Sequence, residues 1–210
     1  MPIHNEQLVL LGLTGNIACG KSTVIAMLRD LGAEVIDADS VTHMLQQPGQ
    51  PVYQQIIEAF GQEILQPDGR LNRRALGAIV FNHPEELRRL EQIVHPAVRR
   101  HILDWLGECA ARAAQQPGLK QVAVIDAIKL LESGWKPLCD QVWVVACNQQ
   151  QQLQRLTSTR GMSNEEALQR IEAQAPQQEK IAQADVVIDN SGSLVQTQDQ
   201  VREAYRRVVG

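Results

Sequence analysis

Aromatic side chains are scarce in this sequence: three tryptophans, two tyrosines and two phenylalanines among 210 residues. With 44% apolar residues, the core must instead be built from Val, Ile, Leu and Ala, as in α/β proteins, and a disordered chain is excluded. The length permits one substantial core, alone or carrying a smaller inserted region. Only four cysteines occur, Cys19, Cys109, Cys139 and Cys147, with no C-x-x-C pair and no histidine at metal-ligand spacing. Reduced thiols are therefore expected, and no structural zinc. No apolar run approaches the length of a membrane span, and "MPIHNEQ" lacks the basic and apolar regions of a secretory signal. The expectation is a cytoplasmic protein with no membrane partner. An excess of positive charge is also missing, and a net charge of −4 gives no reason to expect nucleic acid. Local pairs such as Arg73–Arg74 and Arg99–Arg100 could each hold an anion. No sequence repeat is apparent.

What is present is a complete phosphate-loop pattern. In "GLTGNIACGKSTV", residues 12–24, Gly15 and Gly20 bracket four residues, and Lys21 and Ser22 follow, matching G-x-x-x-x-G-K-[ST]. Glycine tolerates positive φ and close approach, so successive N–H groups can turn around phosphate oxygens. Lys21 supplies charge and Ser22 can ligate Mg²⁺. The apolar run "LVLLGL" before the loop suits a buried parallel strand, while Val24, Ile25, Leu28 and Leu31 recur at helical spacing until Gly32. A strand–loop–helix context adds the helix dipole to the anion site. Gly15, Asn16, Ile17, Ala18, Cys19, Gly20, Lys21, Ser22 and Thr23 are thus the candidate nucleotide contacts.

Further along, "AEVIDAD" predicts a second strand whose exit carries Asp37 and Asp39, with "SVTHMLQ" as a helix. From 47 to 117 strand signals vanish: "VYQQIIEAFG", "NRRALGAIVF" and a long segment from "NHPEE" are helical, and Pro96 is expected to break the last into two helices. Strands return at "QVAVIDAI" and "QVWVVAC". Residues 148–171 predict two helices about a turn at Gly161, with Ser163 and Glu166 spaced as a capping box and the glutamine run as solvated helix. "DVVIDN" is a fifth strand, and Val201, Ala204, Tyr205 and Val208 mark the inner face of a closing helix. The expected fold class is α/β, a five-stranded parallel sheet flanked by helices, with an inserted helical subdomain and a helical lid. Residues 1–46, 118–150 and 181–210 form the nucleotide-binding core, 47–117 the insertion and 151–180 the lid.

Ligands of such sheets bind at the carboxyl ends of the strands, where the phosphate loop and the Asp37–Asp39 pair both fall. Phosphoryl transfer needs positioning, charge neutralisation and a base for the acceptor's proton. Arg155 and Arg160, flanking "LTST", could bring guanidinium groups onto the transferring phosphate. Asp39 could orient or deprotonate a hydroxyl and Asp37 could sit nearer a metal, unless one of them only caps the helix that begins near Ser40. Asp126, at the end of an apolar strand, could hold magnesium through water, or could be a hydrogen-bonded structural carboxylate. Apart from His95, the histidines are expected to be surface or packing residues.

"GLTGNIACGKSTV", "VIDAD", "LNRRAL", "HP" at 95–96, "QLQRL…RG" and "ADVVIDNSG" together resemble the dephospho-CoA kinase family, in order, from about residue 8 to 208. The resemblance implies a P-loop kinase fold and ATP- and Mg²⁺-dependent phosphorylation of the ribose 3′-hydroxyl of dephospho-CoA, the last step of coenzyme A synthesis. It implies Asp39 as the base, a helical insertion that binds the substrate through Arg73, Arg74, His95 and Pro96, and a lid carrying Arg155 and Arg160. Two departures stand out. Ala18 and Cys19 replace the family's glycine–serine pair, and "IKLLE" at 128–132 keeps Leu130 and Glu132 of the family's substrate-contacting "PLLFE" but loses the proline. Other small-molecule kinases, acting on a nucleoside monophosphate or shikimate, share these parts, and a paralogue without turnover is a further alternative. A GTP-dependent switch is disfavoured by the lack of N-K-x-D after the loop. A monomer or weak homo-oligomer is expected.

Overall fold

The computed structural model describes residues 7–116 and 118–210. The stretch inspected for a targeting signal therefore lies, apart from Gln7, outside the described residues, as does Pro117 at the end of the predicted insertion. The chain divides into two compact units, one of residues 1–36 and 108–210, the other of residues 37–107.

In the first unit β1 (Leu8–Gly15) is flanked by β3 (Gln121–Asp126) and β4 (Gln141–Ala146), with β2 (Glu34–Asp37) beyond β3 and β5 (Val186–Asp189) beyond β4. β1 pairs in parallel with β3 and β4, and β4 with β5. Their buried, continuous apolar character is what a sheet covered on both faces requires. α1 (Lys21–Asp30) and α9 (Leu194–Val209) contribute Val24, Leu28, Val201 and Val208 to one cluster with Leu11, Leu13, Val122, Val124, Val145 and Ile188. That core is mostly aliphatic, with Met27, the Cys19 and Cys147 thiols and Trp143 among its members; Trp143 is fully buried and donates its ring N–H to Gln141 at 3.0 Å. α6 (Gln149–Arg160) ends at Gly161 in the left-handed conformation, and α7 (Asn164–Glu172) begins at Ser163, whose hydroxyl accepts from Glu166 N. A short α8 (Gln177–Ile181), unsignalled by periodicity, precedes β5.

The second unit holds α2 (Ala38–Leu45), α3 (Pro51–Phe60), α4 (Arg73–Val80) and most of α5 (Pro84–Ala113). Asp37 ends β2 and starts α2: its Oδ1 accepts from Asp39 N at 2.9 Å and Ser40 N at 3.2 Å. Asn72 caps α4 in the same way. The break expected at Pro96 does not occur, since α5 runs unbroken through it. An interior proline costs about 3 kcal/mol. Val94, Val98, Ile102 and Leu106, an i, i+4 row spanning the proline, are all buried, at about 1.5–3 kcal/mol for each side chain, which outweighs that cost. Among the described residues no helix is long and apolar enough to cross a membrane.

Candidate active site

The loop between β1 and α1 is shaped by backbone positions that few residues tolerate. A side chain on Gly15 would place Cβ 2.5 Å from the Val145 carbonyl oxygen, and one on Gly20, at φ +86°, would meet Asn190 Nδ2 at 2.0 Å. Ala18 has φ +58°, the one positive φ at a non-glycine among the described residues, at a cost of about 1–2 kcal/mol. The surroundings hold it there. Gln152 Nε2 donates to the Ile17 carbonyl at 2.9 Å, Arg155 Nη1 to that of Ala18 at 3.1 Å, and Asn190 Nδ2 to that of Cys19 at 2.8 Å. Three successive carbonyls are thereby fixed by side chains, while the first turn of α1 leaves the N–H groups of Lys21 and Ser22 without intrahelical partners. Asn190 is itself set by Thr197, which donates to its Oδ1 at 2.9 Å, and by Arg155 Nη2, which donates to its carbonyl at 2.9 Å. From the segment after α7, Gln174 Oε1 accepts from Ile17 N at 2.7 Å, and the Ala175 carbonyl accepts from Asn16 Nδ2 at 3.0 Å.

The glutamine run is therefore not simply solvated helix. Gln152 is 5% exposed and bonded to the loop, and Gln151 donates to the Ser191 carbonyl. Nothing local in the sequence marks these residues, but "ADVVIDNSG" contains Asn190, so that motif carried the signal for one brace.

Lys21 pairs with Asp126, which ends β3 and is 3% exposed. Two residues on, the Ile128 carbonyl accepts from Thr14 Oγ1 at 3.0 Å and from Lys180 Nζ at 2.8 Å. Burial pushes the Lys180 ammonium below the usual lysine range, and the nearby charge of exposed Glu132 partly opposes this. A cleft of about 660 Å³ opens over the loop, lined also by Ile128, Arg155, Arg160, Asn190 and Leu194. Its charged lining residues are Lys21, Arg155 and Arg160, with no carboxylate among the lining. Such a cleft suits a polyphosphate. Arg155 is committed to backbone carbonyls, whereas Arg160, at the end of α6, is exposed.

In the second unit a cavity of about 400 Å³ is lined by His43, Gln47, Arg70, Asn72, Arg73 and Arg74, among others. His43 lies beside the Arg73 guanidinium, and Arg70 is engaged by Asp68 at 2.6 Å. Arg73 and Arg74 thus share one basic cavity with a histidine and a third arginine that the sequence patterns do not single out. His95 is exposed on α5. Asp39 is exposed in the first turn of α2, and both Asp37 oxygens are engaged there, Oδ2 accepting from Ser40 Oγ at 2.8 Å. Among the described residues no group of three or more His, Cys, Asp or Glu side chains could hold a metal ion.

The sequence model of one family, described as dephospho-CoA kinase, matches residues 9–196. A dephospho-CoA kinase of Symbiobacterium thermophilum is 49% identical over 96% of this chain and 82% of its own length. That of Geobacillus kaustophilus is 47% identical over 91% of this chain and 92% of its own. Among solved structures, TT1252 from Thermus thermophilus superposes with a TM-score of 0.81 at 31% identity, covering 97% of this chain and 99% of that one. A dephospho-CoA kinase from Campylobacter jejuni shares the fold, with a TM-score of 0.60 at 24% identity over 97% of this chain and 98% of its own.

Proposed function

The chain belongs to the dephospho-CoA kinase family, and from that premise we propose that it transfers the γ-phosphoryl group of ATP to the ribose 3′-hydroxyl of dephospho-CoA, completing coenzyme A. The observation that carries the ATP half is the cleft over the phosphate loop, cationic through Lys21, Arg155 and Arg160 and free of lining carboxylates. Residues Gly15 to Thr23 cradle the phosphates. Lys21 leaves Asp126 to neutralise charge on the transferring group, and Arg160 reaches the same charge from the end of α6. Arg155 acts on it while fixing the loop. Asp39 takes the acceptor's proton, and Arg73, Arg74, His95 and Glu132 contact the acceptor.

Magnesium fits the chain as a partly protein-held ion. Ser22 and Asp126 are the oxygen donors at the loop, with Asp37 as a third candidate whose oxygens already cap α2. So short a donor set agrees with a cation that normally keeps waters and phosphate oxygens. Once bound, it would neutralise phosphate charge. The free thiols of Cys19, Cys109, Cys139 and Cys147 support the cytoplasm as compartment, with the protein a monomer or weak homo-oligomer.

The test is ADP release with ATP and each of dephospho-CoA, adenosine, AMP and shikimate in parallel. Release with dephospho-CoA alone is expected, with phosphate recovered on the 3′-oxygen. Faster release with AMP or shikimate would replace this assignment by another small-molecule kinase, and no release with any acceptor would favour a binding protein.

A further inference from the structure

Two thiols meet at the back of the phosphate loop, where phosphoryl transfer has no use for them. Cys19 lies in the loop and Cys147 directly follows β4; they are 0% and 4% exposed, and both are free. One side chain ties the Cys19 thiol to the Cys147 backbone: Gln177 Oε1 accepts from Cys19 Sγ at 3.2 Å and from Cys147 N at 3.2 Å, while Gln177 Nε2 donates to the Cys147 carbonyl at 3.2 Å. Cys147 Sγ also lies 3.9 Å from the Ala18 carbonyl oxygen, one residue from Cys19.

We propose that Cys19 and Cys147 form a peroxide-sensitive dithiol whose oxidation to a disulfide deforms the phosphate loop and switches nucleotide binding off. The proposal rests on the loop's role as nucleotide cradle. The proximity of the Cys147 side chain, aided by the Arg155 charge and opposed by burial, holds the Cys19 thiol below the usual cysteine range. The same contact and burial push Cys147 upward. Cys19 is thus the attacking sulfur and Cys147 the resolving one. The Cys19 thiolate attacks a peroxide oxygen; an S–O bond forms, the O–O bond breaks, and the departing hydroxide is protonated to water. Cys147 sulfur then attacks Cys19 sulfur; the S–S bond forms, the S–O bond breaks, and hydroxide leaves with the Cys147 proton as a second water. Two thiols lose two electrons and one peroxide gains them. Hydrogen peroxide reaches Cys19 through fluctuations of α6 and α8, whose Gln152 and Gln177 cover it.

A disulfide draws the sulfurs to about 2.05 Å. Cys19 then leaves Gln177 and Gln152 and drags the peptide before Gly20. A misplacement of the loop by about 1 Å is enough to cost about 10²-fold in kcat/KM for ATP.

The test treats the full chain with hydrogen peroxide and maps peptides without reduction, a readout that needs no kinase assay. A Cys19–Cys147 cross-linked peptide is expected, with ATP affinity lost in proportion and restored by dithiothreitol. Cys147→Ala should lose the cross-link and the dithiothreitol-reversible fraction, each preparation being normalised to its own untreated activity. Cys109 and Cys139, both pushed by burial up to about 12, serve as unreactive internal controls. Unmodified Cys19 and Cys147 after treatment, a cross-link through Cys109 or Cys139, or a cross-linked protein with undiminished ATP affinity would each overturn the proposal.

Discussion

Replacing Arg155 with methionine keeps an unbranched apolar stem and deletes the guanidinium, so it separates a structural brace from a contact made only during transfer. In the structure Arg155 donates to two carbonyls, of Ala18 at 3.1 Å and Asn190 at 2.9 Å. Each hydrogen bond from a charged donor is worth about 1.5–3 kcal/mol, and a carbonyl left unsatisfied costs about 1–3 kcal/mol. Arg155 is half-buried, and discounting for solvent leaves about 2 kcal/mol for the pair. For a chain of this size that lowers the melting temperature by roughly 4–8 °C. Because this residue holds the Ala18 carbonyl directly and that of Cys19 through Asn190, ATP binding should weaken even with no acceptor present. Arg155→Lys should recover little, since a point charge on a flexible stem does not span two carbonyls as the planar fork does.

Arg160 is the control within the same helix. It is exposed, and Arg160→Met should leave the melting temperature unchanged while slowing phosphoryl transfer in a single turnover. Calorimetric unfolding, ATP titration without acceptor, and single-turnover rates on both variants make the comparison. If Arg155→Met melts and binds ATP like the parent and loses only transfer rate, the bracing role is wrong.

Three further outcomes follow from named contacts. Lys21→Ala should abolish turnover and also remove the cation paired with the buried Asp126 carboxylate, lowering the unfolding midpoint, so that adding Asp126→Asn brings the midpoint back towards the parent's without restoring activity. Asp39→Asn should lower kcat by about 10²–10⁴-fold with ATP affinity nearly unchanged, and recovery by excess Mg²⁺ would instead make Asp39 a metal ligand. Lys180 has its ammonium held below 10.5 by burial: as pH rises from its folded value towards 10.5 the folded state releases its proton first, so stability increases. Lys180→Met should lack that alkaline increment in urea midpoints, and an unchanged pH slope would refute it.

Much of the fold was legible because its signals are dense and local. The strand–loop–helix at 8–30 announces itself through an apolar run, bracketing glycines and a helical period, and the insertion through the loss of strand patterns. Three features were not legible, for different reasons. Pro96 is a local helix breaker, overridden by an apolar row on both sides that only packing makes valuable. α8 has five residues, too few for a period to appear. Gln152 and Gln174 reach Ile17 across 135 and 157 residues of sequence, and glutamine leaves no mark of a partner so remote.

Those glutamines also decide which part of the 151–180 region is free to move. Swinging the whole region as a lid breaks the bonds of Gln152, Arg155, Gln174 and the Ala175 carbonyl to the loop. At a net value near 1 kcal/mol each, that is about 4 kcal/mol, leaving roughly one molecule in 10³ open. The end of α6 and α7 bear none of those bonds, and Gly161, at φ +65°, joins them with no Cβ to restrict rotation. Arg155 and Arg160, five residues apart on α6, point about 140° away from each other around the helix axis. One is therefore bonded to the floor of the cleft while the other lies exposed at its rim, a division that their near-symmetric placement around "LTST" conceals.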